Sequence, residues 1–281
     1  KKNRLYYPRN LLLQPIAYAE GKYQTALVGF RKIANNKMFK PIIPYYITQI
    51  LYQQNKYDEL IEYGPLYIDS VTEKRKGEFA KLIGDSYFKK NQYDRSLEYY
   101  KIFKKNVKST RESNYQIGYC YYQTKKYKKA IEIFSRVATI DDSLTQISYY
   151  HMADSYLVLE KKDYAKNAFK QASNLYFDVD ITQNSLFNYA KLAYELSYNP
   201  YDEAINAFQQ FIKKFPDSED INEAYDFLLK VYLTTKNYDN ALASMDKIKN
   251  KDPRIQKAYQ TIVYNRAVEQ YHNRQYKSAI K

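Results

Sequence analysis

Apolar residues along this chain recur at helical spacing in paired segments, and a short polar turn separates the two segments of each pair. Ala80, Gly84 and Tyr87 share one helix face before a turn at 91–93, and Leu97, Tyr100 and Phe103 share another after it. Gly118 and Tyr121 repeat the pattern before the next turn, with Ile131, Phe134 and Val137 behind it, and Ala153 and Tyr156 precede the one after. The turn itself is a recurring phrase: polar residues, a Tyr, then a small or apolar residue usually three places on. It reads Gly21-Lys22-Tyr23 with Ala26, Asn55-Lys56-Tyr57 with Leu60, and Asn91-Gln92-Tyr93 with Ser96. Lys125-Lys126-Tyr127 with Ala130 and Lys162-Asp163-Tyr164 with Ala168 follow. The last three are Asn199-Pro200-Tyr201 with Ala204, Asn237-Tyr238 with Ala241, and Arg274-Gln275-Tyr276 with Ala279. The eight tyrosines lie 34, 36, 34, 37, 37, 37 and 38 residues apart. A fixed period of this length predicts stacked helix hairpins, each too small to bury its apolar face alone. The small residue has a physical reason: two antiparallel helices approach closely only where one presents Gly, Ala or Ser, and an aromatic ring of the other fills the gap.

The sets Gly84, Tyr87, Tyr93, Ser96, Tyr100 and Gly118, Tyr121, Tyr127, Ala130, Phe134 resemble the tetratricopeptide repeat. The resemblance implies an all-α, right-handed α-solenoid of about seven to eight helix pairs, one solenoid over residues 1–281. The sixth unit ends Phe208-Gln209-Gln210-Phe211-Ile212-Lys213-Lys214-Phe215-Pro216-Asp217-Ser218, similar to the way bacterial envelope members close a repeat. Pro216 is expected to stop its second helix, and Pro253 to do the same one unit later. Leu60 departs from the small-residue rule, the fifth turn carries its Tyr one position early, and the longer spacings imply longer later turns or helices. The stretch Phe39-Lys40-Pro41-Ile42-Ile43-Pro44-Tyr45-Tyr46 resembles large tetratricopeptide proteins of Bacteroidetes-type bacteria, which implies an exported, periplasmic or cell-envelope location. The chain stops at Lys281, just where a second helix should begin, so it is expected to be a segment of a longer protein whose open end lets copies pair.

Composition agrees with helices joined by short turns. The 281 residues are 45% hydrophobic with only 6 Gly and 8 Pro, and no stretch is apolar enough to cross a membrane. Tyr occurs 35 times and Trp not at all. The net charge of +14 sits entirely in the N-terminal half, where residues 1–140 carry 27 Lys+Arg against 12 Asp+Glu. Residues 141–281 carry 18 against 19.

The sequence offers little chemistry for catalysis, so no catalytic residue, cofactor or metal is expected. It has no glycine-rich phosphate loop. His151 near Asp154 reads as a surface hydrogen bond, and Cys120 as a small buried residue that cannot form an internal disulfide. Asp58-Glu59 and Asp141-Asp142 read as turn and cap residues.

In this architecture the first helix of each pair lines a groove suited to an extended peptide or a partner helix. Helical spacing puts Lys81, Asp85, Phe88 and Lys89 of the third unit on it. Tyr115, Tyr119, Tyr122 and Gln123 of the fourth follow, with Tyr150, Asp154 and Leu157 of the fifth. Tyr suits recognition, offering area and a hydrogen-bonding tip at low rotamer entropy. Many of the tyrosines also occupy consensus core positions, and AT-rich coding bias favours Tyr, Lys, Asn and Ile. The Lys/Asn set with which some relatives grip a C-terminal carboxylate is missing from these positions.

The leading expectation is a non-catalytic scaffold for an unidentified protein or peptide. The alternative is a polyanion-binding module (nucleic acid, anionic lipid or glycan) built on runs such as Lys101-Ile102-Phe103-Lys104-Lys105 and Lys125-Lys126-Tyr127-Lys128-Lys129. Lysines at helix ends and turns also serve the helix dipole and solubility, which weakens the case for nucleic acid. Glycan binding on aromatic platforms is a third reading, which the absence of Trp weakens.

Overall fold

A computed structural model describes residues 9–34, 38–196, 203–234, 237–246, 248 and 252–280. These form sixteen α-helices, with no strand among the described residues. They are α1 (Arg9–Ala19), α2 (Tyr23–Ile33), α3 (Ile43–Gln53), α4 (Tyr57–Tyr63), α5 (Glu73–Lys89), α6 (Tyr93–Asn106), α7 (Arg111–Gln123) and α8 (Tyr127–Val137). Then come α9 (Ser143–Val158), α10 (Lys162–Asn174), α11 (Val179–Leu196), α12 (Glu203–Lys214), α13 (Ile221–Thr234), α14 (Tyr238–Asp246), α15 (Pro253–His272) and α16 (Tyr276–Ala279). Odd-numbered helices are the first members of hairpins and even-numbered ones the second, an all-α solenoid arrangement. The packing divides into two compact units, Lys1–Ile133 and Phe134–Lys281.

Six of the turns share one backbone design. Gly21, Asn55, Asn91, Lys125, Glu160 and Arg274 all have φ between 56° and 73°. The residue after each returns its N–H five residues back: Lys22 to Ala17, Lys56 to Leu51, Gln92 to Tyr87, Lys126 to Tyr121, Lys161 to Tyr156, and Gln275 to Gln270, at 2.8–2.9 Å. The left-handed residue itself bonds three back, as Asn91 does to Phe88 at 3.0 Å. This double bond pattern satisfies carbonyls that the end of a helix would otherwise leave open. The carbonyl of the same following residue then accepts the first bond of the next helix, from Ala26, Leu60, Ser96, Ala130, Ala165 and Ala279.

The fifth turn therefore differs from its sequence reading. Its left-handed residue is Glu160, helix α10 opens at Lys162, and the small residue in the shared register is Ala165, not Ala168. Tyr164 lies two places into the helix, later than the register rather than earlier. The sixth turn, at 199–201, lies outside the described residues. Pro253 also differs: it opens α15 under an Asp252 cap instead of ending a helix, which suits a residue whose missing N–H costs nothing in a first turn. The second hairpin, α3 and α4, departs from the others because Gly64-Pro65 ends α4 after seven residues and continues it as a 3-10 turn over Gly64–Tyr67.

Within the first unit, Leu27, Phe30, Ile47, Ile50, Leu51, Leu60, Phe79 and Ile83 form one core. Leu97, Tyr100, Phe103, Ile117, Cys120 and Ile133 form a second. The close-approach argument holds at Gly84, where a Cβ would stand 2.9 Å from two ring carbons of Tyr100. Ser96 hydrogen-bonds the Gly84 carbonyl at 2.8 Å. Polar rungs, each spanning 32 residues, join successive turns: Lys56 to Gln24 (3.5 Å), Lys90 to Asp58 (2.8 Å) and Lys126 to Asp94 (3.0 Å). Asp58 is thus a repeat-to-repeat partner, and Glu59 pairs with Arg31. Asp142 does act as a cap, accepting from the Thr145 N–H at 2.9 Å.

The second unit buries Phe134, Phe169, Phe208, Phe211, Leu228, Val231 and Tyr232. Gln146 is fully buried and ties the 175–178 loop to α9. Its amide donates to the Thr182 hydroxyl (2.9 Å) and the Leu175 carbonyl, and its oxygen accepts from the Asp178 N–H (2.8 Å). Glu203 gathers Lys166 (2.9 Å), Lys170 (3.5 Å) and the Tyr189 hydroxyl (2.8 Å). Burial works against its ionised form, but the hydrogen bonds from Lys166 and Tyr189 prevail and hold its carboxyl below the ordinary range.

Candidate functional site

Turn tyrosines do not stand alone. The residue three before each left-handed position is aromatic in most turns and meets the Tyr that opens the next helix. The pairs are Tyr18–Tyr23 (5.8 Å between centroids), Tyr52–Tyr57 (5.5 Å), Phe88–Tyr93 (5.7 Å), Tyr122–Tyr127 (6.0 Å) and Tyr271–Tyr276 (5.4 Å). The asparagines at two of these turns accept the tyrosine hydroxyl, Asn55 from Tyr57 (2.6 Å) and Asn91 from Tyr93 (2.7 Å).

In the first unit two such pairs are joined through α7. Tyr119 touches Phe88 (5.8 Å), Tyr93 (5.7 Å), Tyr115 (6.2 Å, stacked) and Tyr122 (6.1 Å). The result is a continuous run of six rings, Phe88, Tyr93, Tyr119, Tyr115, Tyr122 and Tyr127, each half-buried. Edge-on and offset contacts of this kind hold rings in fixed orientations. Burial, with Tyr119 alongside, raises the Tyr115 hydroxyl, so it stays neutral.

The sequence-based groove residues therefore divide. Phe88, Tyr115, Tyr119 and Tyr122 come together in one aromatic patch. Lys81 and Asp85 come together as an ion pair at 2.5 Å, but Asp85 is only 4% exposed and its other oxygen accepts from the Tyr100 hydroxyl at 2.7 Å. Asp85 is thus a buried link between the two helices of its hairpin, not a surface group, because the Gly84–Tyr100 contact carries it inward. Lys89 and Gln123 are exposed. Tyr150 and Asp154 belong to the second unit. Tyr150 packs on Phe169 (6.0 Å), its hydroxyl meets the Asn184 side chain (3.4 Å), and burial first and Asp154 second raise that hydroxyl.

His151 differs from its reading as a surface residue. Its ring stacks on Phe134 at 5.6 Å, and burial pushes its pKa down to about 4. Cys120 is fully buried beside the Ser96 hydroxyl (3.6 Å), and burial pushes its thiol up to about 12. Among the described residues, no three His, Cys, Asp or Glu are grouped to hold a metal, and no helix is long and apolar enough to cross a membrane.

The aromatic pairing across the turns corresponds to an i, i+5 recurrence of rings in the sequence, and helical spacing puts Phe88, Tyr115, Tyr119 and Tyr122 on one face, but the extension that joins Tyr93 and Tyr127 to them is not visible there. That extension depends on which side chains of neighbouring hairpins meet. A cavity of about 430 Å³ between α10, α11 and α12 also went unforeseen; it is lined by polar residues including Lys170, Asn174, Glu203, Asn206 and Gln210.

Hairpins stacked through buried small-residue contacts and repeated left-handed turns define a helical-repeat protein. Models of the tetratricopeptide repeat match residues 81–144 and 184–218. The chain thus carries tetratricopeptide repeats in both stretches. Its fold is similar to the C-terminal part of a repeat-containing protein from Cytophaga hutchinsonii, with 16% identity over 88% of this chain and 98% of that one and a TM-score of 0.55. It is also similar to YrrB, a tetratricopeptide protein with an unusual peptide-binding site, with 13% identity over 70% of this chain and 97% of that one and a TM-score of 0.54. A tetratricopeptide protein from Parabacteroides merdae shares 14% identity over 90% and 97% of the two chains, with a TM-score of 0.46. No curated protein sequence matches this chain.

Proposed function

We propose that this protein is a non-catalytic interaction scaffold whose first unit holds a peptide or partner helix on the aromatic patch of α5 and α7. The observation that carries this reading is the run of six contiguous half-buried rings from Phe88 to Tyr127. Rings locked by one another lose little entropy when a ligand settles on them. The resemblance to a peptide-binding repeat protein in fold supports the same class of partner. A role in a cell-envelope assembly belongs to this proposal through the sequence resemblance to exported bacterial relatives.

The polyanion reading has less to draw on. In the run at 125–129, Lys126 is paired with Asp94 and Lys129 lies over the Tyr121 ring at 5.7 Å. These are contacts within the repeat stack.

The test is to pan a displayed random-peptide library against the whole chain, then repeat it with the Tyr119→Ser, Tyr122→Ser double variant. Enriched peptides that bind the native chain and lose at least about tenfold in affinity for a helical, cooperatively folding variant support the patch. Equal binding by both proteins moves the site elsewhere, and no enrichment at all removes the proposal.

A further inference from the structure

The first helices of the first three hairpins carry a second cluster, one that the repeat signature does not require. Tyr18 on α1 donates its hydroxyl to Gln49 Oε1 on α3 (2.9 Å), and Gln49 Nε2 donates to the Tyr45 hydroxyl (2.8 Å). Tyr45 donates to Glu78 Oε2 on α5 (2.6 Å). Tyr46 is fixed by a stack on Phe30 (5.4 Å) and an edge contact with Tyr18 (5.6 Å). Arg75 of α5 lies against both rings of the Tyr45–Tyr46 pair, its guanidinium carbon 4.6 Å and 5.0 Å from the two centroids.

This guanidinium is held but not neutralised. It forms no ion pair with a described residue. Its one side-chain hydrogen bond, from Nη2 to the Tyr46 hydroxyl, is long at 3.3 Å, and Nη1 is buried with no acceptor. The acids nearest it in sequence are committed elsewhere: Asp69 and Glu73 to Lys76, Glu78 to Tyr45. A buried donor without an acceptor is costly, and a guanidinium stacked on aromatic faces is set to receive a carboxylate through its planar fork. The N-terminal half as a whole carries charge of the same sense, since residues 1–140 have 27 cationic against 12 anionic side chains. A stretch of chain with that cationic excess complements a partner segment with several carboxylates.

We infer that the α1–α3–α5 face of the first unit docks an acidic segment of a partner protein, with one Asp or Glu side chain received by Arg75 on its Tyr45–Tyr46 platform. The inference rests on the peptide-binding reading above but uses a separate set of residues, so the two can fail independently.

The probe is a short, end-blocked peptide of alternating Asp and Ala carrying a fluorophore, titrated into the whole chain by anisotropy, with the Asn/Ala peptide as its neutral counterpart. The native chain should bind the Asp peptide at least about tenfold more tightly than the Asn peptide. Arg75→Gln and Arg75→Lys should each lose most of that difference, because a lysine keeps the charge but not the stacked fork. The Tyr119→Ser, Tyr122→Ser variant should keep it. Circular dichroism identifies any variant that has unfolded, and Arg75→Lys is the less disruptive of the two. Failure of the Asp peptide to bind the native chain overturns the inference. So does equal binding by the native chain and Arg75→Lys, which would mean diffuse basicity. Loss through Tyr119 and Tyr122 but not Arg75 would return the site to the aromatic patch alone.

Discussion

At the scale of single residues, the buried polar groups make the sharpest claims. Tyr100 fills the space Gly84 leaves open and donates to the carboxylate of Asp85. Tyr100→Phe keeps the ring and removes that donor, so it should destabilise the chain by about 1–3 kcal/mol in a denaturant titration. Gly84→Ala should cost about as much by forcing the ring away. His151 titrates in the opposite sense from a partnered surface histidine. Its folded pKa of about 4 lies below the ordinary 6.5, so the unfolded chain takes up this proton more readily. The stability its neutral form contributes is complete above about pH 6.5 and is lost as the pH falls toward 4, by roughly 3 kcal/mol over that range. His151→Phe retains the ring against Phe134 and should flatten this part of the pH–stability curve. Cys120, with its thiol pushed up to about 12, should resist alkylation at pH 8 until denaturant opens its core.

At the scale of elements, the turns show what sequence could and could not foretell. The period, the helix pairs and the small-residue contact at Gly84 were legible, because apolar spacing and residue size survive any local change of register. At the fifth turn the conspicuous residue in the sequence is Tyr164, whereas the fixed point of the design is the left-handed residue, and at that place the sequence has Glu160. Glutamate carries no turn signature. Pro253 is ambiguous in sequence because a proline after one helix and a proline opening the next look alike until a cap such as Asp252 is placed. Helical spacing alone points Asp85 toward the groove, and it carries no sign that the Tyr100 hydroxyl draws this carboxylate into the core. The same turns yield a prediction. Lys125 and Glu160 pay for a left-handed backbone with a side chain. Lys125→Gly and Glu160→Gly should each stabilise the chain by about 0.5–1 kcal/mol, seen as a higher denaturant midpoint.

For the molecule as a whole, stability in a stack of repeats is a sum of local and nearest-neighbour terms. The division into units at Ile133 and Phe134 makes this testable. Tyr100→Phe should raise amide hydrogen exchange across α5 to α7 while α11 to α13 keep their protection; uniform loss over the chain would show a single cooperative block. The 32-residue rungs add a different consequence. Gln24–Lys56, Asp58–Lys90 and Asp94–Lys126 join successive hairpins, each acceptor three places after the left-handed residue of its turn and each lysine one place to either side of the next one. A segment copied from one turn to the next would arrive already carrying both halves of its connector, facing outward on each side. Such a gene could lengthen by slippage or unequal recombination without first inventing a new joint.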